Sequence, residues 1–242
     1  AFRAAENGEF SFDTGVLRGK LRAGGKSLGL SSVVHVPSGT VLDRSMGLFS
    51  HYRVFTTGKR YGGGAWDWPS TAQLRDDGAV EAHWPAAQDR PFELRAIYRW
   101  FDPVTLDLET RVTATHDLRK FESFLASYFS EPFTNSLVFA HGDGAAIGEP
   151  SFRPAQRSFG AWQMFPRDDA AVALIQDGRW KQPPSPVDWV IRPRFAKPLG
   201  VRRAPGTGLA AVLMAAPREC FALAPPQEAE GHYSRYLSLF GR

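Results

Sequence analysis

The chain has 242 residues, 43% of them hydrophobic and 22% charged, with a formal charge of +4. That balance is ordinary for a folded globule and excludes a disordered tail or a low-complexity fibre. Its single cysteine, Cys220, excludes an internal disulfide and a cysteine-based zinc site.

Lysine and arginine are scattered rather than grouped, so no nucleic-acid stripe is expected. A mild positive balance also suits an anionic polysaccharide. No apolar run approaches the roughly 20 residues of a membrane span, so none is expected. One cysteine leaves the compartment open.

Strands bounded by turn residues dominate the pattern. The first are expected at Phe10–Asp13, Leu28–Pro37, Ser50–Thr56, Thr71–Leu74 and Ala79–Trp84, with Asp76-Asp77-Gly78 as a tight turn. Alternation is clearest from Phe92 to Trp100. Phe92, Leu94, Ala96, Tyr98 and Trp100 share one face, while Glu93, Arg95 and Arg99 share the other. After Phe101-Asp102-Pro103 the pattern resumes at Leu106, Leu108, Thr110, Val112 and Ala114. Two such runs predict an antiparallel hairpin, with Glu93, Arg95 and Arg99 pairing across to Glu109 and Arg111. Further strands are expected at Glu122–Phe129, Ser136–Ala140, Gly160–Phe165, Val172–Gln176, Val187–Arg192, Leu209–Ala215 and Cys220–Leu223. Gly142–Arg157 reads as a long irregular connection, the proline-rich Lys181–Pro186 as a loop, and a short helical turn is expected after Pro226. No stretch keeps a period of 3.6 over three turns. Short strands without helices must cover one another, which predicts an all-β sandwich or barrel, read as a single domain over 1–242.

No phosphate-binding loop, nucleophile elbow or zincin histidine pair is present. What remains is polar groups beside aromatic ones. On a strand, His51 and Arg53 share a face and can grip a hydroxyl or carboxylate, or simply form a cross-strand polar pair. Tyr61-Gly62-Gly63-Gly64 reads as a mobile loop, followed by Trp66-Asp67-Trp68. Flat indoles stack on a pyranose and a carboxylate between them accepts its hydroxyl bonds, although tryptophans are also ordinary core residues. His141 and Asp143 can act as a base and its orienter, or lie on a glycine-rich turn. Two such groups are too few for a metal site. Trp180 follows the Asp177-Gly178 turn and can line a rim, as can the polar run Glu228, Glu230, His232, Tyr233 and Arg235. Glu122 stands among aromatics, where its pKa can rise, or it pairs with Arg111.

The order of these features, from about Leu48 to Phe129, resembles the galactose-mutarotase-like superfamily of β-supersandwich proteins. The residues that carry the likeness are His51, Trp66–Trp68, Pro91-Phe92, Tyr98–Val112 and Tyr128-Phe129, with a weaker match at Cys220–Pro225. The resemblance implies an all-β supersandwich of antiparallel strands. It also implies a catalytic histidine two residues before the tyrosine of the Tyr-Phe pair, and a catalytic glutamate before the late proline. Here those positions are Ala126 and Ala224, and neither can move a proton.

The sequence therefore predicts a carbohydrate-binding or accessory sugar-recognition protein without epimerase activity. Its ligand-binding residues would be His51, Arg53, Trp66, Asp67, Trp68, Tyr128 and Trp180, with no metal or other cofactor. The alternative is a glycoside hydrolase or polysaccharide lyase on the same scaffold, drawing on His51, Glu122, His141 or Asp143. Fold-level analogy favours a bacterial periplasmic or secreted setting, and the sequence leaves the oligomeric state open.

Overall fold

A computed structural model of the chain describes residues 1–25, 27–142, 148–225 and 236–241, the last by backbone alone. The fold is all-β, and its sheets are almost entirely antiparallel. The chain forms two compact units: residues 1–53 with 61–119, and residues 54–60 with 120–242.

The first unit opens with a five-stranded sheet of β1 (Phe2–Ala4), β2 (Glu9–Asp13), β3 (Leu17–Arg22), β4 (Gly29–His35) and β5 (Thr40–Val41), in that order. Strand β6 (Ser50–Thr56) then carries the chain from the first unit into the second, and β7 (Lys59–Arg60) follows it. The first unit's other sheet holds β8 (Thr71–Leu74), β9 (Val80–Trp84), β10 (Phe92–Trp100) and β11 (Leu106–Ala114), ordered β11-β10-β9-β8. The two sheets meet through Phe2 and Phe12, whose rings lie 6.2 and 4.8 Å from Trp100. Behind this contact Trp84, Phe92, Leu94 and Tyr98 are fully buried. The hairpin turn is closed by Asp102, whose Oδ1 accepts from the N–H groups of Val104 and Thr105, each at 2.7 Å.

The expected ion pairs across this hairpin do not form. Its register sets Arg95 opposite Arg111, so like charges would meet. Arg95 turns instead to Glu81 on β9 at 2.7 Å, Arg99 goes to Asp77 at 2.6 Å, and Arg111 bonds Glu109 on its own strand.

The second unit contains β12 (Glu122–Tyr128), β13 (Asn135–Ala140), β14 (Ser151–Pro154), β15 (Gln163–Pro166), β16 (Val190–Ile191), β17 (Phe195–Ala204), β18 (Leu209–Met214), β19 (Cys220–Ala224) and β20 (Tyr236–Gly241). One sheet runs β16-β15-β19-β20-β12-β6-β7 and the other β14-β13-β17-β18. Its core holds Phe124, Tyr128, Phe129, Phe133, Phe165 and Phe221.

Three local expectations are corrected. Residues 172–176 are not a strand: 172–175 belong to helix α1 (Asp169–Ile175) and Gln176 is its C-cap. Asp168 caps it, its Oδ1 accepting from Ala171 N–H at 2.8 Å. β17 was not anticipated because it contains Pro198, which cannot donate to a ladder. The strand tolerates it where pairing with β13 shifts register between Val138 and Ala140. β14 likewise interrupts the connection read as irregular. The turn expected after Pro226 lies outside the described residues, as does the polar run from Glu228 to Arg235.

Candidate carbohydrate-binding site

β6 is buried along its length, and its residues Ser50–Arg53 belong to the first unit. His51 is 1% exposed. Its Nε2 meets Thr110 Oγ1 at 2.8 Å and its ring lies 5.2 Å from that of Trp84. Its Nδ1 has no hydrogen-bond partner among the described residues. Burial pushes the imidazole down to about 4, so it is neutral at pH 7. Neighbouring Tyr52 stacks on Trp66 at 4.0 Å with only 12° between the planes, and the Arg53 guanidinium stands 5.0 Å over the same tyrosine. Tyr52 thus meets two flat groups, the Trp66 indole and the Arg53 guanidinium.

The Tyr52–Trp66 stack is seated by the loop after β7. A Cβ on Gly64 would stand 2.7 Å from Tyr52 and 3.0 Å from Trp66, so this glycine permits close approach rather than serving only as a flexible link. Gly64→Ala is expected to cost about 1–3 kcal/mol by overpacking and to change the near-UV circular dichroism of the Tyr52–Trp66 stack. An unchanged spectrum and melting curve would refute that account of the loop.

The short 3-10 turn Ala65–Asp67 follows and leaves Asp67 exposed between Trp66 and Trp68. Trp68 packs on Phe92 and lies under the Arg90 guanidinium at 4.2 Å. The structure therefore gathers Arg53, Trp66, Asp67 and Trp68 into one neighbourhood and adds Tyr52 and Arg90 to it. Both tryptophans are largely enclosed, at 8% and 7% exposure.

In the second unit, Glu122 does not reach Arg111. It forms an ion pair with Arg179, and both side chains are 1% exposed. Arg179 also bonds Asp177 in bidentate fashion, at 2.9 and 2.7 Å, and donates to the Lys120 carbonyl at 3.3 Å. Burial opposes the guanidinium charge, but Asp177 and Glu122 outweigh it and hold the Arg179 pKa above its ordinary value. Burial likewise works against ionised Asp177, yet the arginine leaves its pKa lowered. Tyr128 is buried on β12. His141 is half-buried just after β13, its N–H donates to the Arg194 carbonyl at 3.0 Å, and its Nδ1 lacks a hydrogen-bond partner among the described residues. Asp143 lies outside the described residues.

Trp180 sits beside this network. Its ring meets Phe55 at 5.0 Å, Phe124 at 5.4 Å and Trp189 at 5.1 Å, and Trp189 in turn meets Trp162 edge-to-face at 5.8 Å. Trp180 is enclosed, but Trp189 and Trp162 are only half-buried. Nearby, Arg192 covers the exposed Phe159 ring at 3.8 Å. Trp162 and Trp189 stand inside segments read from the sequence as strands, where an indole signals packing as readily as a ligand. The one cue to a surface was the run of prolines and polar residues leading to Trp189.

No protein-family model matches the chain, and no curated protein matches it. Among the described residues, no group of three or more His, Cys, Asp or Glu side chains is placed to hold a metal ion, and no helix is long and apolar enough to cross a membrane.

One register in this unit aligns two alanines. Ala126 of β12 and Ala224 of β19 both pair with Ser238 of β20, one from each side. Directly paired residues share a sheet face, so both methyl groups point the same way from strands two positions apart, roughly 10 Å. Both are fully buried.

Proposed function

We propose that this protein binds carbohydrate and does not epimerise it, as a divergent relative of the galactose-mutarotase-like superfamily. The observation that carries the reading is the Trp162–Trp189 pair. Both indoles remain partly open, they are braced from within by Trp180, and the guanidinium of Arg192 lies close to the same strands. Half-buried aromatic faces beside a fixed donor suit the apolar face and hydroxyl rim of a pyranose. Asp67 of the first unit, exposed between two tryptophans, is a second point where hydroxyl donors can be accepted.

The absence of epimerisation rests on Ala126 and Ala224. Anomerisation needs an acid and a base flanking the ring, each worth about 10²–10⁴-fold. A row offering methyl groups at both places supplies neither. A hydrolase or lyase built on Glu122 gains no support from a carboxylate enclosed with Arg179.

The test is calorimetric titration against a panel of neutral and anionic oligosaccharides. At least one is expected to bind, and Trp189→Ala should weaken that binding about tenfold, the loss of one aromatic contact worth about 1.4 kcal/mol. Asp67→Asn, which leaves the tryptophan packing in place, tests the other cluster. If no glycan binds the folded protein, the proposal fails. Polarimetric anomerisation of aldoses should run at the uncatalysed rate, and acceleration would overturn the second half of the reading.

A further inference from the structure

Strand β11 is the edge of the first unit's four-stranded sheet, and among the described residues β10 is its one hydrogen-bonded neighbour. It runs nine residues, Leu106–Ala114, longer than the usual strand, and contains no proline. Thr110 through Ala114 are all exposed, as are Asp107 and Glu109. A long bare edge of this kind is a template for another strand.

The phase of its backbone is fixed by two bonds that bracket the hairpin. Phe101 N–H donates to the Thr105 carbonyl and Thr115 N–H to the Pro91 carbonyl, each at 2.9 Å. Hydrogen-bonded and non-bonded pairs alternate along an antiparallel ladder. With the register of β10 on β11 this assigns Asp107, Glu109, Arg111 and Thr113 to bonds with β10. Leu106, Leu108, Thr110, Val112 and Ala114 then direct their N–H and C=O groups to the free edge.

We infer that β11 pairs with β11 of a second copy of this chain, antiparallel about a twofold axis through Thr110. The strand is complementary to itself in this register. Thr110 meets Thr110 of the partner subunit in an outward hydrogen-bonded pair. Leu108 meets the partner's Val112, and Leu106 meets the partner's Ala114, on the face that carries the apolar row. On the opposite face Glu109 meets the partner's Arg111 and Arg111 meets the partner's Glu109. These are non-hydrogen-bonded pairs, in which side chains come closest. Sliding the axis to residue 109 sets Glu109 against itself, and sliding it to residue 111 sets Arg111 against itself. Charge therefore selects one register, and symmetry applies each gain twice. This inference does not depend on the sugar-binding reading.

The test is sedimentation equilibrium of the full chain up to high micromolar concentration. The wild-type protein is expected to dimerise. Glu109→Arg alone and Arg111→Glu alone should each raise the dissociation constant about tenfold or more, because each puts like charges opposite in two places. An equimolar mixture of the two variants should recover a heterodimer, and the double swap should recover the homodimer. Val112→Pro removes an edge-directed N–H without touching the ladder to β10, so it should yield a folded monomer by far-UV circular dichroism. A monomer at every concentration would overturn the inference. So would a dimer indifferent to both charge reversals, or one that dissociates instead on Val212→Lys at the exposed edge strand β18.

Discussion

Arg179→Leu is expected to be the most damaging single substitution in the second unit, lowering the unfolding free energy by about 3–5 kcal/mol. The arginine is the shared partner of Glu122 and Asp177, and the Glu122 side chain is 1% exposed. Removing it takes from the buried Glu122 carboxylate the guanidinium that balances its charge. Asp177 suffers less, because its side chain keeps 23% exposure and can rehydrate. The asymmetry gives a second measurement. Arg179→Leu combined with Glu122→Leu should recover most of the loss, since an apolar pair in place of a buried ion pair is often neutral. Urea denaturation of the wild type and the variants reads both effects. A single variant within 1 kcal/mol of wild type would show that the network does not hold the unit together.

Acid should weaken the first unit before its carboxylates begin to titrate. His51 has a folded pKa of about 4 because burial excludes its charged form. Unfolded, it takes up a proton near 6.5. Between those values the unfolded chain holds a proton that the folded chain does not. Its contribution is therefore intact above pH 6.5 and is lost as pH falls toward 4, by about 3 kcal/mol in all. Its nearest polar neighbour, Thr110, and its ring neighbour, Trp84, carry no charge that would offset this. Asp77, Glu81 and Glu93 are all held below their ordinary values, led by hydrogen bonds to Arg99, Arg95 and His83 respectively. They destabilise in acid too, but only at or below the ordinary carboxylate range. Half-buried Asp43 is raised by desolvation and acts in the opposite sense there. His51→Gln can keep a hydrogen bond to Thr110 and has nothing to titrate. Chemical denaturation between pH 7.5 and 4.5 should show a steep slope in the wild type and a shallow one in this variant. Parallel slopes would mean that the imidazole is not what senses pH.

Alternation carried most of the fold. Phe92–Trp100 and Leu106–Ala114 are strands with the boundaries that period-2 patterning assigns; one face of β10 meets a core, while β11 keeps the pattern as an exposed edge. The pattern failed where another force set the backbone. Val172–Gln176 alternates weakly, but the capping aspartate at 168 and the alanines after it favour helix over strand. Leu17–Arg22 is a strand whose basic, glycine-containing sequence shows no alternation, so pairing on both sides rather than its own pattern holds it. At the site, sequence could mark Trp66, Trp68 and Trp180 as aromatic groups near polar ones. It could not show how enclosed each becomes, because that depends on distant partners such as Tyr52 for Trp66 and Phe124 for Trp180. The partner of Glu122 was hidden for the same reason. Arg179 lies far along the chain, and only the folded unit brings the two together.

Strand β6 has a further consequence for how the polypeptide can be divided. Its first half belongs to one compact unit and its second half to the other. A protease nick between Arg119 and Lys120 would give an amino-terminal fragment that retains Val54–Arg60 stripped of their neighbours. The carboxyl-terminal fragment would lose the two strands that finish its larger sheet, leaving β12 as a raw border. Neither piece would be a finished module. The two should recombine when mixed, and a synthetic peptide spanning β6 and β7 should compete for that vacant border.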